Sequence, residues 1–448
     1  MLSSTVSTSA AALHQLQKTQ RIATLAITGT LRTTPTDFAD AHAGILPIVL
    51  ALLKATHRAT IRMLTLPHTH PLNSIITQIK NEPPRIHASP IANLIRILKL
   101  SRKKMETILS SAQCPAKKPK FSIEITKTRE ESIKQEKKDD ADFKVFSDGS
   151  GQGDSIGAAA VLYTKERYTP IGQLKAFLGP STKRNTYEAE TVGAILATWL
   201  LKNCHETIGK KVSLYIDNQS VIASLSNPKA TSGQYLTNHL TLLANELPCK
   251  LGIHWISSHS KVRGNEKVDE LAKEAASGQG SARDNLPHIL RTPLPTSASA
   301  AKQAYHSKLK DKWEDYWEAS SRSRRMEEID DNFPFSSFRK RTYLLSRSQA
   351  SLMTQIRCGH IPLNGYLFKI DRSDTEDCEA CLNHEEGYCC RETVKHFLFE
   401  CMSYRWEREE LVEKIGRSHL NLRDIMLDTD RMRALATFIN KTGQFKDS

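Results

Sequence analysis

FKVFSDGS, residues Phe143–Ser150, opens the stretch that decides the fold: a β-prone run of four residues that stops on an acid followed by glycine and serine. An acid placed there sits at a strand end, and the glycine lets another backbone approach closely. Gly157–Thr164 and Leu174–Gly179 read as two more strands, so the three together suggest a meander. Asn185–Asn203 carries Val192, Ile195, Leu196, Trp199 and Leu200 at helical spacing, which puts Glu190 in the first turn. Val212–Ile216 alternates as a strand and delivers Asp217 at its carboxyl end, where open α/β sheets place their ligands. Asn218 begins a short helix, Leu236–Leu247 a longer one, and Leu251–Ile256 reads as a last strand before a loop holding His259 and Gly264. The final helix, about Asn265–Ala276, carries Asp269 near its start. The order β-β-β-α-β-α-β-α defines an α/β fold, a mixed five-stranded sheet flanked by helices.

Four acids thus converge from SDGS (Ser147–Ser150), YEAE (Tyr187–Glu190), YIDNQS (Tyr215–Ser220) and HSKVRGNEKVDELA (His259–Ala272). Carboxylates gathered in one pocket repel each other and lose hydration, so they take up protons or bind cations. Oxygen ligands suit Mg²⁺ and Mn²⁺, and two such ions roughly 3.5 to 4 Å apart can clamp a displacement at phosphorus. The pattern points to hydrolysis of a phosphodiester bond.

These residues make the segment resemble type 1 ribonuclease H, most closely the version within non-LTR retrotransposon polyproteins. The resemblance implies metal-binding carboxylates at Asp148, Glu190, Asp217 and Asp269, and a loop histidine at His259 that helps product release or proton transfer. Glu190 is preferred to Glu188 because the family places its acid after an alanine, as in Ala189-Glu190. Ser257-Ser258 departs from the Pro-Gly that relatives often carry before the histidine. Implied with the family are two Mg²⁺ or Mn²⁺ ions, an RNA–DNA hybrid as partner, and cleavage of its RNA strand to 5′-phosphate and 3′-hydroxyl ends. Choosing RNA requires contact with 2′-hydroxyls, for which Gly149, Ser150, Asn185 and Asn218 are the candidates. The alternative is an inactive nucleic-acid-binding remnant of such a polyprotein; the intact set of four acids argues against it.

The chain has 448 residues, enough for two or three units, and a net charge of +14 that favours a polyanionic partner. Residues 1–100 read as a helical unit. Its runs TGTLRTTPTDFADAHAGILPI and RATIRMLTLP look like the segment that follows a reverse-transcriptase core. No YxDD-type motif is present, so a reverse transcriptase would have to be supplied in trans. Residues 101–141, with TKTREESIKQEKKDDAD, read as a charged linker or an isolated solvated helix. Residues 142–278 hold the nuclease, and residues 279–448 a helical region with a zinc-knuckle-like element at 378–401.

That element is Cys378-x-x-Cys381 followed by His396 and Cys401, a set able to close a tetrahedron around one structural Zn²⁺. It resembles the CCHC element after ribonuclease H in the same retrotransposon group, and Cys389 or Cys390 is an alternative ligand. Upstream, Arg339-Lys340-Arg341, Arg347 and Arg357 supply positive charge and Trp313, Trp317, Tyr343 and Tyr366 supply rings, which suit either nucleic-acid contact or a helical core with a solvated basic face. Nine irregularly spaced cysteines argue against a secreted disulfide framework. With no span of about 20 apolar residues and no secretory signal, the expectation is a soluble intracellular protein without membrane contact, nucleus or cytoplasm left open.

Overall fold

The computed structural model describes residues 10–81, 90–98, 100–110, 119–166, 169–258, 261–383 and 390–445. In chain order these carry helices α1 (Ala10–Thr28), α2 (Thr36–Ala43), α3 (Ile48–Leu64), α4 (Leu72–Asn81) and α5 (Pro90–Ile97). Next come β1 (Ser122–Glu124), α6 (Arg129–Lys138), β2 (Phe143–Gln152), β3 (Ser155–Thr164), β4 (Gly172–Pro180), α7 (Thr186–Lys202) and β5 (Lys211–Ile216). Then follow α8 (Gln219–Ser226), α9 (Gln234–Glu246), β6 (Lys250–Trp255), α10 (Arg263–Ala276) and α11 (Ala298–Glu318). Shorter helices follow, with α12 (Arg347–Cys358), α13 (Glu379–Leu382), α14 (Arg405–Ile415) and α15 (Thr429–Thr442) the ones that matter below. The described residues divide into two compact units, one within residues 54–307, the other within residues 10–53 and 308–445. Among the described residues no single helix is long and apolar enough to cross a membrane.

The first unit is built on a mixed sheet in the order β1-β6-β5-β2-β3-β4. β2, β3 and β4 form the antiparallel meander, while β2, β5, β6 and β1 run parallel. One face buries Val145, Leu162, Val192, Leu196 and Leu214 under α7 and α9; the other buries Phe146, Tyr215, Val268 and Leu271 under α10. Period-two alternation along β2 and β5 supplies both cores at once.

Three expectations are corrected. The sheet has six strands, not five: Ser122-Ile123-Glu124 adds parallel to β6, and three residues are too few to show alternation. The supposed linker is therefore partly folded into the sheet, since α6 lies beside it with Ser132 buried and Ile133 packed on the Phe146–Tyr215 core. A capping box between Thr128 and Glu131 starts that helix. Finally, β2 does not stop at Asp148 but runs on to Gln152, because β3 pairs with it over its full length.

In the second unit Arg357 is fully buried, ion-paired to Asp330 at 3.1 Å and stacked on the Phe338 ring at 3.9 Å. Trp313 and Trp317 are buried as well. These residues build a helical core rather than a nucleic-acid face.

Candidate active site and metal centre

The parallel ladder between β2 and β5 ends with Ser147 opposite Ile216. The next residue on each strand is an aspartate, so the register itself sets Asp148 beside Asp217. The indole of Trp255 donates to the Asp217 carbonyl at 2.9 Å and fixes that strand end. Glu190 arrives from α7, which lies unusually close to β2. A Cβ on Gly149 would sit 2.2 Å from the Glu190 amide nitrogen, and one on Gly193 would sit 2.8 Å from the Asp148 carbonyl oxygen. Glycine on both surfaces lets helix and strand backbones touch, and that contact carries Glu190 onto Asp148.

Asp148, Glu190 and Asp217 each offer a carboxylate oxygen within 4.8 Å of the others. Burial first, then the charges of Asp217 and Asp269, push Asp148 up to about 7. Glu190 is raised well above the usual carboxylate range by burial and by the Asp217 and Asp148 charges. Its Oε2 is buried without a hydrogen-bond donor among the described residues. Three crowded, shielded carboxylates with an unsatisfied oxygen have the chemistry of a cation site.

Asp269 stands apart from this trio. It is near enough for its charge to raise Asp148, but its carboxylate is ion-paired with Lys273 at 2.7 Å, one turn along α10. His259 lies outside the described residues. Gly149 and Ser150 are mid-strand, paired with Ala158 and Gly157. Asn185 and Asn218 are helix caps: the first accepts from the Glu188 amide at 2.9 Å, the second from the Ser220 amide at 3.0 Å. Their side-chain oxygens are thereby engaged in starting α7 and α8. Glu188 is the partner in the Asn185 capping box, which separates its role from that of Glu190. Sequence reading missed Lys273 and Trp255; the i,i+4 spacing of Asp269 and Lys273 was the available signal for the first.

In the second unit Cys378, Cys381, His396 and Cys401 form a second possible metal-binding group, all four buried. Cys381 Sγ lies 3.5 Å from Cys401 Sγ and 3.4 Å from His396 Nε2, and Cys378 Sγ lies 3.9 Å from Cys401 Sγ. A tetrahedral ion with Zn–S near 2.3 Å implies sulfur separations of ~3.8 Å, so the spacing fits. Hydrogen bonds from Cys378 and Cys381 hold the Cys401 thiol down at about 4, while Cys378 is pushed up. Thiols crowded in this way ionise together only beside a cation. Arg408 braces it by donating to the Leu398 and Cys401 carbonyls. Cys390 contributes its carbonyl to the Cys378 amide at 2.8 Å and is not in the group; Cys389 lies outside the described residues.

Residues 140–277 match the family model described as RNase H. Similar solved structures include the N-terminal RNase H domain of rv2228c from Mycobacterium tuberculosis, 20% identical, covering 31% of this chain and 94% of that one, TM-score 0.26. RNase H1 from the archaeon Halobacterium salinarum NRC-1 is 19% identical, over 31% of this chain and 98% of that one, TM-score 0.25. LC11-RNase H1 in complex with an RNA/DNA hybrid is 16% identical, over 30% of this chain and 96% of that one, TM-score 0.26. No curated protein matches the chain. Residues 140–277 are thus an RNase H domain, inside a longer chain whose remainder the family model does not cover.

Proposed function

We propose that this chain is a metal-dependent endonuclease that hydrolyses the RNA strand of RNA–DNA hybrids, derived from a retrotransposon polyprotein. The observation that carries the reading is the meeting of Asp148, Glu190 and Asp217 within 4.8 Å in an RNase H domain. These three, with Asp269 completing the set, would hold Mg²⁺ or Mn²⁺, two ions in all. Such ions supply Lewis-acid polarisation of the phosphoryl oxygen and an acidified water.

The chain's own residues position and screen. Asp148 and Asp217, fixed by strand register, give the site its rigid floor, and Glu190 is aimed by helix–strand contact rather than by a loop. Lys273 holds Asp269 at the margin. His259 is assigned to proton transfer or product release. Cys378, Cys381, His396 and Cys401 would hold one structural Zn²⁺, closed by four protein ligands. The sequence resemblance further suggests a reverse transcriptase acting in trans.

The test is cleavage of an end-labelled RNA–DNA hybrid with Mg²⁺ or Mn²⁺, beside double-stranded DNA and the Asp148→Asn variant. Loss of the RNA strand alone is expected, reduced on the order of 10³-fold or more in the variant, with hybrid binding retained. A folded, hybrid-binding parent chain that cuts nothing would overturn the assignment.

A further inference from the structure

The positive charge of the first unit is not in its catalytic domain. Residues 140–277 hold fifteen Lys and Arg against fourteen Asp and Glu, close to neutral, whereas residues 54–110 hold ten against two. One of those two acids, Glu106, is buried and engaged: it accepts from the Gly233 amide at 2.8 Å, the Ala298 amide at 2.6 Å and the Ser232 hydroxyl. Among the described residues of this segment, no carboxylate is therefore left facing solvent.

Several of its described cations lie on elements that pack around one small core. Ile61 of α3, Ile76 of α4, Ile95 of α5, Met105 and Ala298 of α11 pack together. Arg58 and Arg62, one turn apart on α3, are exposed. Lys302 on α11 feels both: burial and then the Arg58 charge, with Arg62 also contributing, lower its pKa. Among the described residues no ion pair holds Arg58, Arg62, Lys103, Lys104 or Lys302. Crowded like charges of this kind are relieved by a polyanion.

A built seat lies in the same module. Arg102 lines a cavity of about 600 Å³ together with His68, Asn73 and Lys103, over an apolar floor that includes Leu64 and Ile76. All three guanidinium nitrogens of Arg102 are shielded from solvent, and among the described residues none has a hydrogen-bond acceptor. A shielded guanidinium without acceptors is unfavourable, and a phosphate offers the paired oxygens that match its fork.

We propose that the described parts of this segment, α3 from residue 54, α4, α5 and residues 100–110, form with the start of α11 a docking surface for the sugar-phosphate backbone of nucleic acid, Arg102 seating one phosphate and Arg58, Arg62 and Lys302 engaging its neighbours. The identification of that nucleic acid as the RNA–DNA hybrid rests on the function proposed above. On this view the flanking module grips the substrate by charge, and the near-neutral RNase H domain supplies the cutting residues.

Binding is measured with the full chain carrying Asp148→Asn, without divalent metal, using fluorescence anisotropy of a labelled hybrid over a range of salt. Arg58→Glu with Arg62→Glu should weaken binding about tenfold or more and make the log–log salt dependence shallower by about two. Arg102→Gln should weaken it about threefold and reduce the slope by about one. Arg324→Glu with Lys414→Glu, exposed cations of the other unit, applies the same charge change and should alter affinity less than about twofold. Unchanged hybrid binding in the first two variants, or equal loss in the control, overturns the docking surface. Phosphatidylserine vesicles form a second arm: loss of vesicle binding with hybrid binding intact would assign the surface to a membrane instead and overturn the proposal. Cleavage by the Asp148-containing chain is followed separately. A chain that binds through these arginines but never cuts keeps the docking surface and loses the nuclease reading.

Discussion

At the scale of single residues, Asp148 links the site's electrostatics to stability. Its folded pKa of about 7 lies above the ordinary 3.8, so in metal-free protein the folded state holds a proton that the unfolded state has released. Between those values folding binds protons, and stability falls as pH rises. The stabilisation is present in full below about pH 4 and is lost as pH climbs through 7. Melting temperatures of chelated protein should therefore drop between pH 5 and 8, less steeply in Asp148→Asn, and added Mg²⁺ should restore the loss at pH 8. A pH-independent melt would contradict this environment. Gly149 makes a second, purely steric statement. Alanine there would press against the Ala189–Glu190 backbone, which cannot swing aside like a side-chain tip. Gly149→Ala should destabilise by about 1–3 kcal/mol and depress cleavage further than the stability loss explains, as read by denaturant titration beside the hybrid assay.

Among the elements, the RNase H fold is fastened to what surrounds it. Met105 makes an isolated parallel bridge to Thr296, and the Glu106 carboxylate binds the amino ends of both α9 and α11. Two helix N-termini converging on one buried anion make a strong clamp. Glu106→Ala would leave the Gly233 and Ala298 amides without their acceptor, and a loss of about 3 kcal/mol is expected by urea unfolding. A change below ~1 kcal/mol would mean that water replaces the carboxylate. Neither this clamp nor β1 was legible along the sequence. Residue 106 looks like any surface glutamate after a basic run, and Ser122–Glu124 has no periodicity to read. Both exist because a preformed partner, the edge of β6 in one case and helix ends in the other, supplies the missing bonds.

Across the whole molecule, the two compact units each carry their own candidate metal group, three acids in one and Cys378, Cys381, His396 and Cys401 in the other. Metal treatments should separate them. Elemental analysis should find one zinc per chain, absent in Cys381→Ser. A zinc-selective chelator should destabilise the helical unit by on the order of several kcal/mol and so lower its unfolding temperature. Hybrid cleavage in excess Mg²⁺ should persist. Cleavage that tracks zinc content instead would tie the cysteine group to catalysis.

The sequence by itself determined the β-prone runs of β2 and β3, the alternation of β5, the periodicity of α7, the order of the four acids, and the two-one-one grouping of cysteines and histidine in chain order. These are local or periodic properties, written in neighbouring residues. Only the tertiary structure decided which acids meet. Strand register set Asp148 against Asp217, the contact of Gly149 and Gly193 with opposing backbone brought in Glu190, and the helical spacing to Lys273 held Asp269 aside. The same holds for Asn185 and Asn218, drawn into helix caps, and for Arg357, drawn into a buried pair with Asp330. The physical reason is common to all of them: a polar side chain's role is fixed by which bare donors, acceptors and charges the folded backbone brings within reach, and that inventory exists only once the elements have packed.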